Sequence, residues 1–217
     1  MKLSDFETFI KAEQQICSDI LTSKGKDYAL NGDRLASFKQ PCFITKKNPL
    51  EIWLGYWCKG TIALYDNISA GTKINPELIR DSINYLYLLT SLLKNKGKPV
   101  DQEQLIKDVQ AQYDRCFEVL VEKAKRYCAG DDDRLGMFKR NAKIEMTTPE
   151  DVLGSYMVKH TNSIIQMVRA NESDMNKWNE KITDHINYLF LLGALINDKE
   201  PIKTSKVSKT LEEGTTV

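Results

Sequence analysis

Two short constellations hold the polar residues of this 217-residue chain that are best placed to do chemistry. Asp81, Asn84 and Tyr85 stand at i, i+3 and i+4, and Asp184, Asn187 and Tyr188 repeat the spacing. On a helix that spacing puts each trio on one face, within stretches that are otherwise nearly all apolar. A carboxylate there needs a partner, because an unpaired charge taken out of water is costly. The partners expected are Lys59 and Lys159, and Arg34 and Arg134 beside Gly/Asp-rich turns. Two readings compete. In one, these residues close a buried ion-pair and hydrogen-bond network that sets how helices meet. In the other, Arg34, Lys39 and Lys59, with Arg134, Lys139 and Lys159, form cationic pockets for phosphate, while Asp81 or Tyr85 contacts a base or sugar. Arginine suits this role because its planar fork matches phosphate bidentately.

Metal-assisted hydrolysis would need several carboxylates converging on one ion. Glu118 and Glu122, with Glu180 and Asp184, offer two pairs at i, i+4 spacing. The matching positions earlier in the chain hold Glu77 and Asp81 but Asp19 and Ser23, so such a magnesium site is complete once at best. Nucleophilic chemistry has little support: the only histidines are His160 and His185, with no Ser or Cys motif beside them. No P-loop or Gly-x-Gly-x-x-Gly occurs. Trp53 and Trp57, with Tyr56, span one helical turn, a pattern that reads as core plus one edge.

Lys plus Arg number 31 against 30 Asp plus Glu, so nothing in the net charge of +1 calls for nucleic acid or a membrane surface. Any anion site is local. No apolar run reaches the roughly 18 residues of a membrane span, no signal-peptide core opens the chain, and a cytoplasmic protein is expected. Cys17, Cys42, Cys58, Cys116 and Cys128 form no Cys-x-x-Cys pair and read as free thiols.

The elements that must position these residues are written twice. Asp33-Arg34-Leu35 through Phe38-Lys39 returns as Asp133-Arg134-Leu135 through Phe138-Lys139, and Pro49, Ile52, Tyr56, Lys59 and Thr61 meet Pro149, Val152, Tyr156, Lys159 and Thr161 100 residues on. Ile79 to Leu89 returns 103 residues on, and Cys17, Leu21, Lys26 and Tyr28 return 99 on. The expected fold is all-α, a helical bundle of two tandem three-to-four-helix repeats over residues 1–97 and 98–197, followed by a flexible tail over 198–217. A Ser4/Glu7 capping box should start the first helix, which runs to about Lys26. Asp101 should cap its counterpart. Asn48-Pro49 and Thr148-Pro149 should open a third helix in each copy, and the most apolar helices start near Pro76 and Asn179.

The pattern of Lys125-Arg126-Tyr127, Asp133-Arg134-Leu135 with Phe138, Pro149-Glu150-Asp151-Val152 with Lys159, and Asp184 through Tyr188 resembles a phage-encoded family of small all-α proteins. That family is related to nucleotide-modification-associated proteins and is distantly similar to MazG-type nucleotide pyrophosphohydrolases. Lys24-Gly25-Lys26-Asp27-Tyr28, Asp33 to Phe38, Lys59 and Asp81 to Tyr85 carry the same resemblance in the first copy. The resemblance implies a phage origin, the host cytoplasm, and nucleotide binding. The MazG-type signature of Glu-x-x-Glu and Glu-x-x-Asp for magnesium does not occur here, so no cofactor is expected except magnesium under the hydrolase alternative. The function expected is a nucleotide-binding protein that sequesters a nucleotide signal or counteracts a host defence. A pyrophosphohydrolase and a protein-binding inhibitor of a host factor are the alternatives. The partners are accordingly a phosphate-bearing small molecule, a host protein, or a second copy of the chain.

Overall fold

A computed structural model describes residues 1–127 and 132–199. Its regular elements are helices: α1 (Leu3–Tyr28), α2 (Ala36–Lys39), α3 (Pro41–Thr45), α4 (Pro49–Ser69), α5 (Pro76–Asn95), α6 (Gln102–Tyr127), α7 (Gly136–Glu145), α8 (Pro149–Arg169) and α9 (Met175–Lys199). No strand is present among the described residues, only isolated bridges. The chain is therefore all-α. The tail expected from residue 198 begins inside α9, and residues 200–217 lie outside those described, as does the turn at 128–131.

Local chemistry explains most of the helix starts. Asn48 accepts from the Glu51 amide while Glu51 returns a bond to the Asn48 amide, a full capping box ahead of Pro49. Thr148 caps α8 and Asp101 accepts from the Gln104 amide at the start of α6. The Ser4/Glu7 capping box does not form: α1 begins at Leu3 behind Lys2, and the Ser4 hydroxyl turns to Asp5. The Lys2 backbone is in the extended region and pairs with Asp133, so tertiary contact sets this helix start. Helix α9 begins at Met175, four residues ahead of Asn179, because Asp174 accepts from the Asn176 amide there.

Four helices close a ring of contacts: α4 on α5, α5 on α9, α9 on α8, and α8 back on α4. Helices α1 and α6 pack against α5 and α9 and touch each other. The short α2 and α3 lie on α4, and α7 lies on α8. The centre is fully buried and aromatic. Trp57 stacks on Trp53 at 5.1 Å, meets His185 edge-to-face at 5.6 Å, and donates its indole N–H to the Ser82 hydroxyl at 3.0 Å. Trp53 donates to the Tyr85 carbonyl at 2.6 Å, which ties α4 to α5. Both indoles are thus core, and Tyr56, 45% exposed, is the edge.

The two Asp-Arg-Leu turns are each closed by a segment distant in sequence. The Asp33 carboxylate accepts from the amides of Leu35 and Val100 and from Lys39, and the Arg34 amide donates to the Val100 carbonyl. Asp133 accepts from the Leu135 amide, Lys139 and the Met1 amino group, and the Arg134 amide donates to the Met1 carbonyl. Burial acts to raise the Asp133 pKa, but the bonds from Lys139, the Met1 amine and Leu135 outweigh it and hold the group at about 2.

Cys17 and Cys116 occupy matching buried places, and burial pushes each thiol up to about 12. Since the thiolate is the nucleophile, alkylation of the native protein at pH 8 is expected to leave both cysteines unmodified until urea unfolds the chain. Peptide mapping by mass spectrometry checks this. Rapid native labelling at either position would contradict this burial.

Candidate functional site

The Asp-x-x-Asn-Tyr face of α5 forms one wall of a cavity of about 510 Å³. Helix α5 contributes Asp81, Asn84 and Tyr85; α1 contributes Lys24 and Gly25; α2 and α4 contribute Phe38 and Tyr56. Arg34 and, from α6, Leu105 complete it. The Phe38 ring lies 6.0 Å from Tyr56 and 6.4 Å from Tyr85, centroid to centroid, so one side of the space is aromatic.

Three polar atoms of residues lining this cavity have no hydrogen-bond partner in the protein. The Asn84 side chain is 5% exposed, and both its Oδ1 and Nδ2 are buried without a hydrogen bond. The Arg34 Nε–H is in the same condition. Leaving such groups unmet costs about 1–3 kcal/mol each. The rest of the Arg34 guanidinium is anchored: Nη2 donates to the Leu21 and Thr22 carbonyls of α1 at 3.0 and 3.2 Å. Gly25 makes this approach possible, since a Cβ there would lie 2.0 Å from Nη2.

A second cavity of about 270 Å³ lies against the matching face of α9, with Asp184, Asn187 and Tyr188 from α9, Lys123 from α6, Phe138 from α7 and Tyr156 from α8. The Asn187 amide is likewise 5% exposed with neither atom bonded. The differences lie around it. Met137 stands where the first cavity has Ser37. Ala124 replaces Gly25, and the Arg134 guanidinium lies over the Phe6 ring at 5.2 Å. His160 packs on Tyr188 at 5.1 Å, with Nδ1 3.9 Å from Asp184. Burial lowers the His160 pKa, with Asp184 opposing, so the ring is largely uncharged at neutral pH.

The expected partners of the two aspartates are corrected. Lys59 and Lys159 are exposed on α4 and α8 and line neither cavity. Asp81 faces Lys24 at 4.0 Å, and Asp184 bonds Lys123 at 2.8 Å. Lys39 and Lys139 are committed to Asp33 and Asp133, so they hold the turns and do not reach the cavities. A purely cationic phosphate pocket is therefore not built. Lys24 and Lys123 sit 99 residues apart, the offset that relates Cys17 to Cys116, and that offset is the signal by which they were findable. The four carboxylates considered for magnesium do not gather. Glu118 and Glu122 are exposed, Glu180 bonds Lys181, and no group of three or more metal-ligating side chains occurs among the described residues.

Fold and site together define an all-helical protein with two aromatic cavities, each presenting a buried asparagine amide without a protein partner. Comparison with protein-family models, with curated proteins and with solved structures finds no match.

Proposed function

We propose that the chain binds a nucleotide-type small molecule in the cavity beside Asn84 and holds it without turning it over. The observation that carries this reading is the buried Asn84 amide, an acceptor and a donor side by side with no protein partner. That pair is complementary to the edge of a purine or pyrimidine, as in the bidentate asparagine contact to adenine. The cavity volume of 510 Å³ falls within the roughly 300–1,000 Å³ of small-molecule sites. Phe38, Tyr56 and Tyr85 offer ring faces for a base, and Lys24, 65% exposed, offers positive charge where a phosphate would leave the cavity. Because the carboxylates do not converge, binding is favoured over magnesium-dependent hydrolysis. Sequestration of a nucleotide signal, as the phage-type resemblance implies, follows from a binder of this kind.

Thermal unfolding with nucleoside mono-, di- and triphosphates and cyclic dinucleotides tests the reading. At least one is expected to raise the melting temperature. Asn84→Leu should weaken that ligand about 10- to 100-fold, in line with the ~1–3 kcal/mol of a bidentate base contact, while leaving the unliganded protein equally stable or slightly more so. A folded sample that shifts with none of these ligands would sink the proposal. Release of phosphate or pyrophosphate, abolished by Asp184→Asn, would instead establish the hydrolase.

The proposal includes a duplicated origin. Helices α1 and α6 are each 26 residues long, and α4 and α8 each 21. The Glu13–Arg80 pair between α1 and α5 has its counterpart in the Gln112–Thr183 bond between α6 and α9. Superposing α4–α5 on α8–α9 in an experimentally determined structure checks it, and unrelated crossing geometry would remove the duplication. A protein partner is the second reading, favoured by Phe43 and Ile44 on α3 and by Ile144 and Met146 at the end of α7, all at least 79% exposed. Wild-type binding to a host protein, lost with Phe43→Ser, would support it; unchanged binding by that variant would not.

A further inference from the structure

We infer that the cavity beside Asn187 is a second binding site, restricted to an uncharged heterocycle of nucleobase size, so that the two halves hold ligands of unequal size. The ligand class rests on the reading proposed for the first cavity; the existence of the second site rests on its own groups. Asn187 presents the same unpartnered acceptor and donor, buried to the same degree, on the wall of a separate cavity. A single fortuitous orphan amide is unremarkable, but the same amide is left unmet on two different helices, each time against a cavity with a Phe and two Tyr in its lining.

Size and charge set what this site accepts. Its 270 Å³ lies just below the roughly 300 Å³ at which drug-sized ligands begin to fit, and Met137 occupies space that Ser37 leaves open. The cations are also engaged differently. Lys123 is drawn to 2.8 Å from Asp184, which is only 18% exposed, whereas Lys24 stands 4.0 Å from a half-exposed Asp81. The Arg134 guanidinium faces the Phe6 ring. A phosphate entering here would have to break the Lys123–Asp184 pair and meet the aspartate. A neutral base meets the aromatic rings, the amide and the apolar side chains of Leu120, Met137 and Leu191 beside the Arg134 guanidinium, and breaks no ion pair.

Nuclear magnetic resonance of the full chain separates the two sites, because the side-chain NH₂ signals of Asn84 and Asn187 are assignable by their loss in Asn84→Leu and Asn187→Leu. Free adenine, guanine, cytosine and uracil are the probes, each beside its nucleoside 5′-monophosphate. At least one free base is expected to move both amide signals, and its monophosphate only that of Asn84. Met137→Trp, which adds ring bulk to the wall of the second cavity at a partly exposed position, should weaken the Asn187 response and leave that of Asn84. Should Asn187 misfold on substitution, this variant carries the assignment. An Asn187 signal unmoved by every base overturns the second site while the first stands. Equal response to base and monophosphate overturns the size limit, and silence of both amides overturns the first reading as well.

Discussion

Lowering the pH from 7 to 4.5 is expected to remove roughly 2.5 kcal/mol of stability through His185 alone, at about 1.4 kcal/mol per pKa unit. His185 is 1% exposed at the centre of the bundle, and burial, with His160 nearby as the lesser cause, holds its pKa down at about 3 against an ordinary 6.5. The folded protein therefore binds fewer protons than the unfolded chain between those values, and stability falls with pH across that window. The contribution is fully present above pH 6.5 and lost progressively down to about pH 3. His160, also shifted down by burial, adds a loss of the same sign. The Asp133 carboxylate, held at about 2, adds another only below about pH 4. Urea unfolding at half-unit steps isolates the effect. His185→Gln removes the titrating group, so the gap between wild type and variant should narrow steadily from pH 6.5 to 4.5. Parallel curves would show that His185 takes up a proton in the folded state.

Trp57→Ala is expected to cost about 4–5 kcal/mol, at the upper end for deleting a buried aromatic. The residue is fully buried and joins three elements: it stacks on Trp53 of its own helix, meets His185 of α9, and donates to Ser82 of α5. Alanine leaves a void beneath all three and leaves the Ser82 hydroxyl short of a donor, worth about 1 kcal/mol more. Trp57→Phe keeps most of the volume and should cost less than half as much. Since domains of this kind are stable by only about 5–15 kcal/mol, the alanine variant is expected to show a melting temperature lower by more than 10 °C, or not to fold. A loss below about 2 kcal/mol would mean the indole is not central to the packing.

The helices were legible because their signals are local. Asn48-Pro49 with Glu51, and Thr148-Pro149 with Asp151, specify a helix start by groups within four residues of one another. The start of α1 was misread for the opposite reason: Lys2 is held by Asp133, 131 positions away in sequence. One wall of each cavity was legible in the same way. The i, i+3, i+4 spacing placed Asp81, Asn84 and Tyr85 together, and the second trio likewise. What escaped was the partner of each aspartate, because a carboxylate's nearest cation depends on which helix packs beside it. Lys24 and Lys59 are both lysines on long helices, and only the packing of α1 against α5 chooses between them.

The chain's own order of residues determined that the protein is helical, where most helices begin, and that an Asp-x-x-Asn-Tyr face occurs twice, since each follows from spacing and capping within a few turns. Tertiary structure alone decided that Lys39 and Lys139 brace their turns, and that Asn84 and Asn187 line cavities while their buried amides lack hydrogen-bond partners. It also decided that the two cavities differ in size. Those outcomes depend on contacts between residues far apart in sequence, such as Val100 with Asp33 and Met1 with Asp133. They depend equally on volume exchanged between residues that never meet in a local pattern, as where Ser37 lines one cavity and Met137 the other.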